Sequence, residues 1–214
     1  MNRIALLLVC ISFAVQDLVK AQENNVYYGI SMDFQNGNLY ENPSDGRNPE
    51  AFADYSAQGI GLIIEKKLSK NFSLSLEPRF QISTYNFDPS LVLFPDTKRK
   101  EEIHVPLYLN FEFKVSKVHP IFSIGYGLTI LNAFDQEVGV RMLKNHLSLM
   151  GEMGFGFMIQ KIIFCPFIGY EHSIISVMEF SFDPSNETWT PSKKRIIRFG
   201  LKVSRTLFEN KNVE

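Results

Sequence analysis

The sequence predicts an all-β chain: an eight-stranded antiparallel up-and-down transmembrane β-barrel. Three observations predict it. Apolar and polar residues alternate with a period of two in run after run. The connections between these runs alternate long and short along the chain, as in membrane barrels with short periplasmic turns and long outer loops. The polar faces combine small residues with charges of both signs, while the opposite faces are almost wholly Leu, Ile, Val, Phe, Met and Tyr. Composition agrees. Hydrophobic residues make up 45% of the 214, and 19 are Phe, which is too apolar for a disordered chain. A formal net charge of -1 leaves no basic excess to hold nucleic acid.

The first element is an address. Residues 1–21 read as a secretory signal peptide, with Arg3 as the charged start, Ile4 to Val15 as the apolar stretch and Ala21 at the cleavage point. That leaves 22–214 as a single barrel domain. Cys10 would leave with the leader, so Cys165 would have no partner for a disulfide.

Eight runs follow. Val26–Phe34 sets Tyr28, Ile30, Met32 and Phe34 against Gly29, Ser31 and Asp33. Ser56–Lys66 sets Ile60, Leu62 and Ile64 against Gly59, Gly61 and Glu65. Phe72–Ser83 is the clearest, with Phe72, Leu74, Leu76, Pro78, Phe80 and Ile82 on one face and Glu77, Arg79 and Gln81 among the other. In Ile103–Phe113, Leu107, Leu109 and Phe111 alternate with Tyr108, Asn110 and Glu112. Pro120–Leu131 and His146–Ile159 oppose aromatic and aliphatic residues to Ser, Gly and Glu152. Lys161–Ser173 is apolar on both faces at first, and its preferred phase puts Glu171 on the polar side. The last run alternates Ile197, Phe199, Leu201 and Val203 with Arg198, Gly200, Lys202 and Ser204. Each run is close to the ~9–11 residues that a tilted strand needs to cross a bilayer. The expected long connections are 35–55, 86–100, 132–145 and 174–194. The short ones lie near Leu68–Asn71, Lys114–His119 and Gln160–Lys161.

Volume decides which face turns inward. An eight-stranded barrel is only wide enough for side chains to fill it. The glycine- and serine-rich polar faces leave room for long charged side chains, and the aromatic faces do not fit. The charges therefore belong inside and the Phe residues in lipid. The expected lumen network is Glu65, Glu77, Arg79, Glu112, Glu152, Glu171, Arg198 and Lys202, with Glu77, Glu112 and Glu152 paired to Arg79, Arg198 and Lys202. Unpaired buried charges would be too costly. Aromatics near strand ends, Tyr27, Tyr28, Phe34, Phe72, Tyr85, Phe87, Phe111 and Phe113, are expected to form interfacial girdles.

Glu102 to Asn110, Pro120 to Gly127, Gly154-Phe155-Gly156 and Gly169-Tyr170 give the chain a resemblance. It resembles the outer-membrane β-barrel family of Bacteroidota-type bacteria that includes PorT. The resemblance implies an eight-stranded barrel in the cell outer membrane. For the PorT branch it implies a role in type IX secretion. It carries no catalytic residues.

Few residue patterns in the chain point to chemistry. His104, His119, His146 and His172 are scattered, so no metal site and no cofactor are expected. The sharpest enzymatic pattern is His146, Ser148 and Glu152 on one strand face, similar to outer-membrane lipid A deacylases. Its inward parity and Leu149 argue against it. Basic residues at Lys98-Arg99-Lys100 and Lys193-Lys194-Arg195 would sit at the outer rim, where lipopolysaccharide phosphates are possible ligands. The expected protein is a non-enzymatic, monomeric outer-membrane barrel, structural or accessory, with envelope or secretion proteins as partners. A lipid A esterase, a narrow pore and a soluble ligand carrier are the alternatives.

Overall fold

The computed structural model describes residues 26–41, 51–88, 97–113, 118–131, 136–137, 140–142, 145–180 and 190–206. The signal peptide expected at 1–21 lies outside them. The barrel strands are β1 (Val26–Glu41), β2 (Ala51–Lys67), β3 (Phe72–Leu76) with β4 (Arg79–Phe87), β5 (Thr97–Glu112) and β6 (Val118–Leu131). Short pieces β7 (Gln136–Glu137) and β8 (Val140–Met142) precede β9 (Asn145–Ile159) and β10 (Ile162–Ser173). β11 (Met178–Phe180) and β12 (Thr190–Thr206) follow. All pairings are antiparallel, and β1 pairs with both β2 and β12, which closes the ring.

Strands β3 and β4 are one barrel strand. Their partners on β2 and β5 stay in one register across Glu77-Pro78. Pro78 lacks an N–H and interrupts the strand. The ladder nevertheless continues, because Leu62 N donates to Pro78 O at 3.0 Å and Glu77 N to Pro106 O at 3.0 Å. Eight barrel strands result, as the periodicity predicts. Pro78 departs from the expected outward face: it is buried in the wall.

The near end carries both strand termini and tight turns. At 68–71, Leu68 N donates to Phe72 O, and Ser69 Oγ accepts from Phe72 N at 3.2 Å. Between Ile159 and Ile162 the turn is two residues long, with Gln160 at φ 57°. The far end differs from the expected plan of long loops. Strand β1 continues to Glu41 and β2 starts at Ala51. β11 adds to β12, β8 to β11 and β7 to β8, so the sheet extends beyond the ring.

Polarity is inverted relative to a soluble barrel. Ile30, Met32, Phe34, Ile60, Leu62 and Phe80 lie on the outer wall and are roughly half exposed. Arg79 and Arg198, at 1% and 0%, are inside. Apolar outside and charged inside is stable only where the outside solvent is hydrocarbon.

Candidate functional site

Inward-facing residues of all eight barrel strands, counting β3 and β4 as one, build the candidate site, the filled lumen. Its middle is an ion layer. Asp33 on β1 accepts at Oδ2 from Arg79 Nη1 at 3.0 Å, Arg198 Nε at 3.1 Å and Arg198 Nη2 at 2.8 Å. Arg79 also donates to Glu77 at 2.5 Å. Lys202 joins Glu77 at 2.7 Å and Glu152 at 2.6 Å. Tyr108 donates to Glu152 at 2.5 Å and accepts from Arg198 Nη1 at 2.7 Å. Three carboxylates thus meet three cations from strands β1, β3–β4, β9 and β12 across the bore. Two glycines make the room: a Cβ on Gly59 would stand 2.5 Å from Asp33 Oδ1, and one on Gly61 2.5 Å from Arg79 Cγ.

Toward the far end comes a layer of amides and phenols around the carboxylate of Glu102. Gln81 bridges Gln35, Tyr55 and Glu102, and Tyr85 donates to Glu102 at 2.6 Å. Beside it, Glu171 lies 3.8 Å from His104 Nε2 and 3.9 Å from Lys194 Nζ. Lys194 is fully buried, 4.5 Å over the Tyr55 ring. An apolar cluster of Leu39, Phe52, Phe87, Val177 and Ile196 caps these layers. Alternation could not reveal this cap, because it gathers single residues from the far ends of four strands and Val177 from the segment between β10 and β11. Toward the near end the lumen opens into a cavity of about 90 Å³ between Lys67, Glu77, Asn110, Cys165 and Lys202.

The residues expected in the lumen divide between these regions. Glu77, Arg79, Glu152, Arg198 and Lys202 meet in the ion layer. Glu171 belongs to the far layer. Glu112 departs from its expected central pairing: it bonds Lys67 and lies 3.5 Å from His119 at the near mouth. Glu65 is there as well, 3.6 Å from Lys67. Asp33, the hub, carries the signal that could have singled it out, a carboxylate alone on the polar face of its strand. Among the expected girdle aromatics, Tyr85 and Phe87 turn inward instead, into the cap. Phe72, Phe111, Phe113 and Phe122 form a ring chain on the outer wall at the near end, with centroids 4.8, 4.3 and 6.0 Å apart.

The His146, Ser148 and Glu152 pattern also faces the lumen. Glu152 is taken up by Tyr108, Arg198 and Lys202. Neither ring nitrogen of His146 has a protein hydrogen-bond partner. The nucleophile–base–orienter contacts of such chemistry are not assembled. Among the described residues, no three His, Cys, Asp or Glu side chains group closely enough to hold a metal ion.

No protein-family model matches the chain, and no curated protein sequence does. Solved structures do match. The outer membrane protein OprG from Pseudomonas aeruginosa aligns at a TM-score of 0.57 and 12% identity, over 87% of this chain and 98% of its own. AlkL, an outer membrane protein solved in DMPC lipid bilayers, aligns at 0.53 and 12% identity, over 89% and 94%. The fold is that of the small outer-membrane barrels. With the inverted polarity described above, it makes this chain an outer-membrane β-barrel.

Proposed function

We propose that the protein is a non-enzymatic outer-membrane barrel, a structural or accessory component of the envelope in the manner of the PorT branch of barrels. The filled lumen carries this reading. A bore crossed by paired ions and capped by apolar side chains suits a rigid wall element better than a conduit. The disassembled His146, Ser148 and Glu152 pattern supports the non-enzymatic half. The strands Glu102–Asn110 and Pro120–Gly127, which resemble the PorT family, support the accessory half.

Planar-bilayer recording of the purified barrel tests the first half, with no discrete current steps expected. Stepwise currents from the wild-type protein would overturn it. Crosslinking in native envelopes, followed by identification of the captured proteins, tests the second. Secretion-machinery components should be captured, and a strain lacking the protein should lose export. Unchanged export in that strain removes the accessory role.

A further inference from the structure

The outer wall changes character over three rows of cross-strand neighbours. One row reads Leu201, Met32, Ile60, Phe80 and Ile103, all apolar. The next, toward the far end, reads Phe199, Phe34, Gln58, Ile82 and Glu101. The third reads Ile197, Asn36, Ser56, Thr84 and Arg99. On β1, β2, β4 and β5 the hydrocarbon boundary therefore falls at the middle row, and on β12 Ile197 carries the apolar belt one row further. The far end is the loop end, so this is the outer leaflet.

A recess of about 450 Å³ opens at this boundary, on the outside of the wall. Ser56 and Thr84, cross-strand partners, are short, whereas Phe34, Phe199 and Arg99 around them are long. The wall is thus dented where two small outward side chains meet. The two aromatics and Ile82 continue the lipid-facing belt. Gln58 stands beside them in the same row, and above them stand the Asn36 amide, two hydroxyls, Ser56 and Thr84, and one guanidinium, Arg99.

We propose that this recess binds the phosphorylated sugar headgroup of lipopolysaccharide in the outer leaflet. The inference rests on the outer-membrane reading of the barrel. A planar guanidinium takes a phosphate through two parallel hydrogen bonds. Amides and hydroxyls both donate and accept, which suits sugar hydroxyls rather than a bare anion. Acyl chains then run down Phe34, Phe199 and Ile82. The inward face separates this cation from its sequence neighbours, as Lys98 and Lys100 lie on the other side of β5. Lys194 is likewise turned into the lumen, so the rim is selective in which cations it shows to lipid. Glu101 lies one row below Arg99 and does not line the recess.

The test uses the full-length barrel in detergent micelles, with bound lipid counted by native mass spectrometry. The probes are purified lipopolysaccharide, phosphatidylglycerol and inorganic phosphate. Arg99→Gln should weaken lipopolysaccharide retention by roughly tenfold, the scale of a lost charged hydrogen-bonded pair. Arg195→Gln, which removes an outward cation stacked on Tyr40 and outside the recess, should change it by no more than about twofold, as for an exposed charge. Arg99→Lys keeps the charge and loses the fork, so it should fall between. Phosphatidylglycerol should bind more weakly, and millimolar phosphate should not displace the glycolipid. Equal loss in the Arg99 and Arg195 variants, no loss in Arg99→Gln and Arg99→Lys, or equal retention of phosphatidylglycerol each overturns the site. Gel migration before and after boiling separates failure of the barrel from failure of the recess. A wild-type protein without a heat-sensitive compact form defeats the membrane reading itself. A compact variant that keeps its glycolipid defeats only the recess.

Discussion

Asp33 serves two arginines at once, and Gln35 Nε2 adds a further donor at 3.1 Å. Removing its charge leaves Arg79, Arg198 and Lys202 with only Glu77 and Glu152 to neutralise them. Asp33→Asn should cost about 3–5 kcal/mol, the scale of a broken buried ion pair, read as a shift in the urea midpoint of folding into lipid vesicles. Tyr108→Phe should cost less, about 1–3 kcal/mol, since it leaves Arg198 and Glu152 still paired at 3.0 Å. The facing of these residues is legible in the sequence, because parity alone decides inside from outside. Their partners are not. Which inward residues meet depends on the stagger of strands around the ring, and a period of two contains no stagger. That is why Glu112 falls to Lys67 at the mouth and not to the central cations.

Each strand answers to the solvent on either side of it. Along β6, Ile124 is 61% exposed and its neighbours Ser123 and Gly125 face inward. Ile124→Arg should destabilise the barrel by about 2–4 kcal/mol in a bilayer, with a much smaller effect on folding in loose detergent micelles. At the turn between β9 and β10, Gln160 occupies the left-handed region, which costs a residue with a Cβ about 1–2 kcal/mol. Gln160→Gly should raise the unfolding midpoint. The phases of all eight barrel strands are legible because lipid enforces them. Strand ends are less so. Beyond the hydrocarbon, water accepts either face, so the pattern fades at Phe34 while the ladder runs on to Glu41. The interruption at Pro78 also escapes the alternation, since the register passes through it unchanged.

The whole molecule is a closed ring with an inverted solvent preference. It should migrate faster unboiled than boiled on SDS gels, because the intact ring stays compact and binds less detergent. Identical mobility in both lanes would contradict ring closure. The ring is legible from the regular sorting of long and short connections, which a sandwich has no reason to adopt. The apolar cap over the lumen is not, nor is the extension of the sheet through β8 and β11. Both arise where strand ends from distant parts of the chain happen to converge.

The clamp on Asp33 sets a timetable for biogenesis. Its carboxylate lies on the first strand, and Arg198 lies 165 residues further along, on the last. β1 and β12 are also the two edges that seal the ring. A nascent chain emerging in order therefore carries an open edge, and an acid with only Arg79 of its two arginine partners, until the end of its translocation. Stepwise insertion, hairpin by hairpin, would drag both into oil. Delivery of the finished polypeptide by a periplasmic escort, followed by concerted closure, is the route with the lowest barrier. A chain arrested before residue 190 should remain a substrate for envelope proteases instead of becoming a smaller barrel.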